Sequence, residues 1–138
     1  MPNPPLTPQV QAALAEPVHA VIATVRPDGQ PVTVPTWYLV EDDRHLLLSI
    51  DATNARGDRL AHLRAHPLIS ITALGRKSWY DAVTVQGRAV EFFDDADLEL
   101  VDRMSAVHTG DRYRIRRPRT AVRVEITEWD RPIPKSSD

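Results

Sequence analysis

The feature that most constrains this fold is a pair of β-rich runs within residues 18–40, joined by the short segment Arg26-Pro27-Asp28-Gly29-Gln30. Valine, isoleucine, threonine and aromatic residues dominate both runs, and these side chains suit a pleated, half-buried surface. Pro27 presets φ at a turn position, and Asp28-Gly29 tolerates positive φ. The pattern therefore predicts a β-hairpin.

Pro35 interrupts the second run of the hairpin. Proline has no backbone N–H to donate to a neighbouring strand, so it favours a sheet edge or a bulge. Two interpretations follow. The segment is an ordinary edge strand, or its backbone groups around Val34-Pro35-Thr36 bind a ligand that carries donors and acceptors on its rim.

Short strand and helix patterns fill the rest of the chain. Beyond the hairpin, strands are predicted at residues 44–50, 68–74, 79–93 and 121–129. Helices are predicted after Thr7-Pro8, within 51–67 and after Asp94-Asp95. Six mostly antiparallel strands with short helices predict a mainly β (α+β) domain, and closing the sheet into a small barrel would protect its edges. Gly87 is expected at a bulge or a bend.

Composition limits the classes of function. The length of 138 residues and 42% hydrophobic content suit one domain, 1–138, with flexible tails at 1–6 and 131–138. A formal charge of −2 provides no overall basic field for nucleic acid or an anionic membrane. The absence of cysteine excludes disulfides and thiolate chemistry. Because no signal sequence or membrane-length apolar run is present, we expect a cytoplasmic protein.

Three arginines, Arg56, Arg59 and Arg64, surround the start of the helix within 51–67. Positive charges near a helix N-terminus oppose the macrodipole, and a bound anion would relieve that conflict. A phosphate is the ligand that this pattern favours. The alternative is a solvated charged face with Asp58 as the local partner.

The usual catalytic and nucleotide signatures are absent, including the P-loop, the glycine-rich dinucleotide motif and the serine nucleophile elbow. His62 and His66 lie four residues apart on a predicted helix, but the pattern places no third ligand beside them. We therefore expect no metal site and no side-chain nucleophile.

Three segments occur in a characteristic order: HAVIATVRPDGQPVTVPTWYLVEDD, LLLSIDATNARGDRLAHLRAHPLISITAL and VTVQGRAVEFFDD. Together they resemble the pyridoxamine-phosphate-oxidase-like split β-barrel superfamily, particularly its branch of coenzyme F420-dependent enzymes. The resemblance spans about residues 8 to 129. It implies a six-stranded antiparallel split β-barrel that forms a homodimer with its cofactor at the subunit interface.

The resemblance also implies a cofactor site. In this superfamily the strand that matches Val34-Pro35-Thr36-Trp37 lies along the flavin or deazaflavin ring, and the segment that matches 53–59 binds the phosphate. Thr53 falls where a hydroxyl is common and Arg59 where a basic residue is common, with Arg56 as a compensating candidate. Asp58 departs from the FMN-binding pattern, in which an arginine is frequent at that position.

Aromatic side chains supply candidate walls for such a pocket. They are Trp37 and Trp79, each with the tyrosine that follows it, and Tyr113 from a late loop. Each is also a normal core or interface residue. Hydride transfer would be the cofactor's own chemistry, so no catalytic acid or base need stand out.

Within the cofactors that the resemblance implies, the sequence favours F420 over FMN, in an oxidoreductase acting on a small-molecule substrate. The deazaflavin tail continues past its phosphate to lactate and glutamates, which requires an open basic groove. The arginine-rich run 112–117 offers such a surface, although it also balances the acidic residues of 94–99. An FMN-dependent enzyme, a non-catalytic flavin, deazaflavin or haem binder, and a structural dimerisation module remain alternatives.

Overall fold

The computed structural model describes residues 3–53 and 59–131, and these residues form one antiparallel seven-stranded sheet in the order β2-β1-β5-β6-β7-β4-β3. The strands are β1 (Ala20–Val25), β2 (Pro31–Thr36), β3 (Leu39–Val40), β4 (His45–Asp51), β5 (Leu68–Ala73), β6 (Val83–Asp94) and β7 (Arg119–Asp130). The helices are α1 (Pro8–Ala15), α2 (Arg59–Ala65) and α3 (Glu99–Thr109), and 3₁₀ turns cover Trp79–Asp81 and Ala96–Leu98.

The predicted hairpin is present and its turn chemistry is as expected. β1 pairs with β2 from Ala20 opposite Thr36 to Val25 opposite Pro31. Gly29 has a φ of 87°, and the Asp28 carboxylate accepts a 3.1 Å hydrogen bond from the backbone of Gln30. This turn fixes the hairpin register because glycine reaches positive φ without a steric penalty.

The second run of the hairpin splits into β2 and β3, which lie at opposite edges of the sheet. Only Trp37 and Tyr38 separate the two strands. Three Cα–Cα steps reach at most about 11 Å, so the two edges must approach each other and the sheet must curl. The predicted barrel class is confirmed, but the count of six strands is wrong by one because this run breaks at Trp37.

The barrel interior is apolar and α1 closes one end of it. Leu46, Leu48, Ile71 and Val124 are among its fully buried side chains. The buried hydroxyl of Tyr38 donates a 2.7 Å hydrogen bond to the Leu14 carbonyl of α1, and burial raises the pKa of this tyrosine. Tyr38 therefore belongs to the core and is not a wall of a ligand pocket.

Residue 6 belongs to the folded core, although the sequence predicts a flexible segment at 1–6. Leu6 is buried, and its backbone N–H donates to the Asp43 carbonyl at 2.8 Å. Thr7 caps α1 by accepting a hydrogen bond from Val10, as predicted. The flexible segment expected at 1–6 is therefore wrong at residue 6. Residues 132–138 of the other predicted tail lie outside the described part of the chain.

A second apolar cluster packs α3 against the outer face of the sheet. It contains Leu47, Leu100, Met104 and Ala121, with Trp37 against its margin. α3 begins at Glu99, and the Asp95 carboxylate accepts hydrogen bonds from N–H groups of its first turn, those of Leu100 at 2.8 Å and Val101 at 3.0 Å. α3 is thereby held beside the break between β2 and β3.

The strand predicted at 79–93 begins later, at Val83. Trp79–Asp81 is a 3₁₀ turn in which the Ser78 hydroxyl accepts a hydrogen bond from the Tyr80 N–H at 3.2 Å. The local cap outweighs the β-propensity of the two aromatic residues. The predicted bulge at Gly87 is confirmed by a register shift there, and a Cβ would lie 2.7 Å from the Glu125 carbonyl oxygen.

Among the described helices, none has the length and apolar character that crossing a bilayer requires. The cytoplasmic location stays a prediction.

Candidate functional site

A cleft of about 590 Å³ opens where the barrel is split. β4 pairs with β3 only at Leu46 and Leu47. In the second half of β4, which contains Ser49 and Asp51, the one neighbouring strand among the described residues is β7. β2 is likewise an edge, with β1 as its neighbour. The cleft lies between these two incomplete edges and is flanked by α2, α3 and the segment 110–118.

One side of the cleft, here called the apolar wall, consists of Val34, Pro35, Trp37, Val101 and Met104. Pro35 is exposed on β2, which is an edge strand of the sheet. Proline is tolerated at an edge because no further strand there needs a hydrogen bond from its missing N–H. The edge position predicted from this proline is confirmed. The wall offers apolar surface that can cover a flat ring.

The indole of Trp37 is held in one orientation by two neighbours. It stacks on His108 with ring centroids 5.1 Å apart and planes 3° apart, and Tyr113 meets it edge-on at 5.9 Å. Burial and the nearby His19 lower the pKa of His108, so its imidazole is neutral at pH 7. Trp37 therefore presents a rigid aromatic surface, and the imidazole stacked on it is uncharged.

The opposite side, here called the charged wall, consists of Ser49, Asp51, Arg59, Arg117 and Arg119. The β4–β7 register places Asp51 opposite Arg119. Arg119 donates from Nε to the Ser49 hydroxyl at 2.7 Å and from Nη2 to the Ser49 carbonyl at 2.8 Å. Its guanidinium also lies over the Tyr113 ring at 5.2 Å, so Tyr113 contacts both walls.

Asp51 is the acidic member of the charged wall and is only 8% exposed. Its carboxylate accepts hydrogen bonds from the Thr53 N–H at 2.8 Å and the Thr53 hydroxyl at 2.5 Å, and it lies 3.3 Å from Arg117. Burial alone would raise the pKa of Asp51, but these hydrogen bonds and the charges of Arg117 and Arg119 hold it below its ordinary value. Asp51 is therefore ionised at neutral pH.

Arg59 begins α2 and projects into the cleft as a partly desolvated cation. Burial, and then the charge of Arg119, lowers the pKa of Arg59, although a guanidinium stays protonated at any physiological pH. Within residues 3–53 and 59–131, no carboxylate forms an ion pair with it. A bound anion would offset both the desolvation and the repulsion between the two arginines.

Five of the nine predicted site residues meet in this cleft: Val34, Pro35, Trp37, Arg59 and Tyr113. Three others do not line it. Thr36 directs its hydroxyl to the Trp37 carbonyl, Thr53 binds Asp51, and Trp79 lies beside His19 and Lys77 in a separate shallow cleft. Arg56 falls in 54–58, outside the described residues.

Sequence reasoning missed Ser49, Asp51, Arg119, Val101 and Met104 as site residues. One available signal was the alternation in 48–51, where polar Ser49 and Asp51 share a strand face opposite two apolar neighbours. That pattern indicates a polar outer face, but the pairing of Asp51 with Arg119 depends on a long-range register. Arg64, also considered for the site, lies 4.8 Å from the Phe92 ring and does not line the cleft.

The family to which the chain belongs follows from its sequence. Residues 6–131 match the model of the family described as pyridoxamine 5'-phosphate oxidase, so the chain is a member of that family. Members of this family bind flavin or flavin-like cofactors. No curated protein sequence matches the chain.

Solved structures show the same fold at low identity. An F420 reductase is 22% identical with a TM-score of 0.70, over 88% of this chain and 95% of that one. A pyridoxamine 5'-phosphate oxidase-type protein of Lactobacillus delbrueckii is 23% identical with a TM-score of 0.64, over 91% and 93%. HupZ of Group A Streptococcus is 19% identical with a TM-score of 0.67, over 90% and 92%. At these identities the likeness establishes the fold alone.

Proposed function

We propose that this protein is an oxidoreductase that uses the deazaflavin coenzyme F420 to transfer hydride to a small-molecule substrate. The observation that carries the proposal is one cleft that joins a flat apolar wall to a wall with three arginines and one carboxylate. Such a cleft fits a ligand with a planar ring at one end and a phosphate at the other. Family membership supports the same cofactor class.

The roles of the residues follow from their positions. Val34 and Pro35 would contact the ring edge, and Trp37 would cover its apolar surface. Arg59 and Arg119 would bind the phosphate with charge-assisted hydrogen bonds. The cofactor supplies the hydride chemistry, while the protein orients it and excludes water through Val101 and Met104.

The charge pattern of the segment 110–118 supports F420 over FMN. Arg116 binds Asp102 of α3 through two hydrogen bonds of 2.7 and 3.2 Å, so it serves the fold. Arg112 and Arg114 are exposed and form no ion pair with a described residue. These two arginines can follow the anionic tail that F420 has and FMN lacks. Similarity to an F420 reductase is consistent with this choice.

FMN is the second candidate cofactor. The compactness of the charged wall favours it, because Arg59, Arg117 and Arg119 all lie within one cleft and a terminal phosphate needs several donors. A protein that binds either cofactor without turnover has the same cleft, and only kinetics separates such a binder from an enzyme.

We also propose that the protein is a homodimer whose second subunit completes the cleft. Trp79 and Tyr80 stack at 4.1 Å and are 58% and 56% exposed, which is unusual for aromatic side chains on a monomer surface. Light scattering at micromolar concentration is expected to give twice the chain mass, and Trp79→Ala should shift the protein toward monomer. A wild-type monomer would contradict this proposal.

Turnover tests the enzymatic part of the proposal. Reduced F420 is mixed with purified protein and an artificial electron acceptor, and the return of deazaflavin absorbance is recorded. We expect catalysed oxidation by the wild type and loss of that rate in Arg59→Ala. Arg123→Ala, which changes an arginine outside the cleft, is the matched control. Tight binding without any catalysed oxidation would overturn the enzyme assignment.

A further inference from the structure

We propose that Asp102 is a positioning residue of the cleft, because it holds Tyr113 at the junction of the apolar wall and the charged wall. Where this inference concerns cofactor affinity it rests on the proposed function, since the ligand of the cleft is itself proposed. It goes beyond that function by assigning a role to a residue that does not line the cleft.

The ring of Tyr113 contacts one side chain of each wall. It meets the Trp37 indole edge-on, with ring centroids 5.9 Å apart and planes 78° apart, and the Arg119 guanidinium lies 5.2 Å from its centre. Trp37 belongs to the apolar wall and Arg119 to the charged wall. Displacement of this ring would therefore free both side chains at once. A site loses affinity when the side chains that line it must be ordered by the ligand.

The segment 110–118 has no regular secondary structure that could fix this ring. The segment is attached at its two ends, where backbone groups of Gly110 and Pro118 form hydrogen bonds of 3.0 Å. Within 112–117, Tyr113 is the one residue whose backbone groups bond to described residues. The position of its ring therefore depends on those bonds.

Asp102 of α3 is the acceptor in this arrangement. Its carboxylate accepts a 3.0 Å hydrogen bond from the Tyr113 N–H and two hydrogen bonds from the Arg116 guanidinium, at 2.7 and 3.2 Å. Arg116 in turn donates from Nη1 to the Tyr113 carbonyl at 2.9 Å. Both backbone groups of Tyr113 are thus bonded, one to the carboxylate and the other to the guanidinium that the carboxylate orients. Hydrogen bonds to charged groups are stronger than neutral ones.

The helix that carries Asp102 also forms part of the cleft. Val101 and Met104 of α3 are fully buried and belong to the apolar wall. Met104 packs in addition against the outer face of the sheet. Asp102 therefore fixes Tyr113 relative to a helix that is itself held against the sheet and borders the ligand site.

The first test needs no ligand. The protein is labelled with 5-fluorotryptophan, and fluorine NMR records the resonances of Trp37, Trp79 and Trp129, of which Trp37→Phe identifies the first. We expect Asp102→Ala to shift the Trp37 resonance in the same direction as Tyr113→Ala does, because both variants take the tyrosine ring away from the indole edge. The other two resonances should stay in place. An unchanged Trp37 resonance in Asp102→Ala overturns the proposal.

The matched control is Asp111→Asn. It removes one negative charge from the same region, and the Asp111 carboxylate forms no hydrogen bond with a described residue, since the bonds of Asp111 involve its backbone. The Trp37 resonance should not move in this variant. A shift as large as that of Asp102→Ala would mean that net charge moves the resonance, and it would overturn the role of Asp102.

A second variant breaks the same arrangement from the other side. Arg116→Ala removes the hydrogen bonds to Asp102 and to the Tyr113 carbonyl and leaves α3 unchanged in sequence. It should shift the Trp37 resonance in the same direction, and it decides the proposal if Asp102→Ala does not fold. No shift in Arg116→Ala would then overturn it.

The second test measures affinity for F420 in a double-mutant cycle. Asp102→Ala and Tyr113→Ala are each expected to weaken binding about tenfold, and the double variant should bind no more weakly than the weaker of the two. A residue that merely supports the fold would weaken binding by its full factor in the Tyr113→Ala background as well. Fully additive effects therefore overturn the positioning role and leave the cofactor site intact.

The two tests separate this proposal from the proposed function. Binding of neither F420 nor FMN by the wild type would overturn the proposed function and the predicted effect on affinity. The Trp37 resonance would still decide whether Asp102 positions Tyr113, because that measurement is made on the protein without ligand.

Discussion

Two groups of arginines in this protein differ in their partners. Arg116 and Arg123, outside the cleft, bind carboxylates: Arg116 binds Asp102, and Arg123 binds Glu41 through hydrogen bonds of 2.7 and 2.9 Å and also contacts Glu91. Among the described residues, the three arginines of the charged wall have a single carboxylate, Asp51, beside them. The difference indicates that Arg116 and Arg123 stabilise the fold, whereas we propose that Arg59 and Arg119, which form no ion pair with a described carboxylate, bind an anionic ligand.

Of the substitutions that test this comparison, the removal of Arg59 is expected to change cofactor affinity most. Arg59→Ala is expected to weaken F420 binding by about 1.5–3 kcal/mol, the range for a hydrogen bond to a charged group. The free energy of unfolding should change little, because no described ion pair is lost. Calorimetric titration and urea unfolding measure the two quantities. Normal binding by this variant, or failure to fold, would place Arg59 in the structural group.

Arg119 differs from Arg59 because it also bonds to Ser49. Arg119→Lys retains the charge but loses the planar fork, so we expect about 1–1.5 kcal/mol of lost affinity with a stability loss of similar size. Titration calorimetry combined with thermal unfolding checks both values. A full loss of binding would show that the guanidinium geometry, more than its charge, holds the phosphate.

Arg123 serves as the opposite case. Arg123→Ala removes the hydrogen bonds to Glu41 and Glu91, which connect β6 and β7 with the β3–β4 turn. Stability should fall by about 0.5–1 kcal/mol, as for a partly exposed ion-pair network, while cofactor affinity stays unchanged. Weaker cofactor binding in this variant would mean that Arg123 affects the cleft and that the two groups of arginines do not act independently.

The smallest effect concerns pH and the ion pair on α3. The hydrogen bond from Arg116 holds the pKa of Asp102 below its ordinary value. A lowered folded-state pKa gives stability that is present above the unfolded value of about 3.9 and is lost as pH falls through the folded pKa. Asp102→Asn should therefore be destabilising at pH 7 and neutral near pH 2. Urea midpoints at both pH values measure this, and an equal loss at both would assign the effect to the Tyr113 backbone contact.

Local signals in the sequence were sufficient for much of the fold. The hairpin turn, the cap at Thr7 and the bulge at Gly87 each depend on neighbouring residues, and each is confirmed. The split at Trp37 was not predictable in this way. Leu39-Val40 has good strand character, and its transfer to the far edge of the sheet depends on which partner the curled sheet offers.

The site was predictable only in part, for the same reason. Val34 and Pro35 were predicted because a proline in a strand is a local irregularity, whereas Trp37 was predicted from the resemblance to the superfamily. Ser49 and Arg119 are separated by 70 positions in sequence, so their contact depends on the β4–β7 register. The β-propensity of Trp79 predicted a strand. In the structure Trp79 begins a 3₁₀ turn that is capped by Ser78 and lies outside the cleft.

The central claim is that the cleft is built for a deazaflavin cofactor. Titration of the wild-type protein with F420 and with FMN at physiological salt tests it most directly. We expect F420 to bind at least tenfold more tightly, which corresponds to about 1.4 kcal/mol. Binding of FMN at least tenfold more tightly than F420 would contradict the claim and make this protein an FMN-binding member of its family.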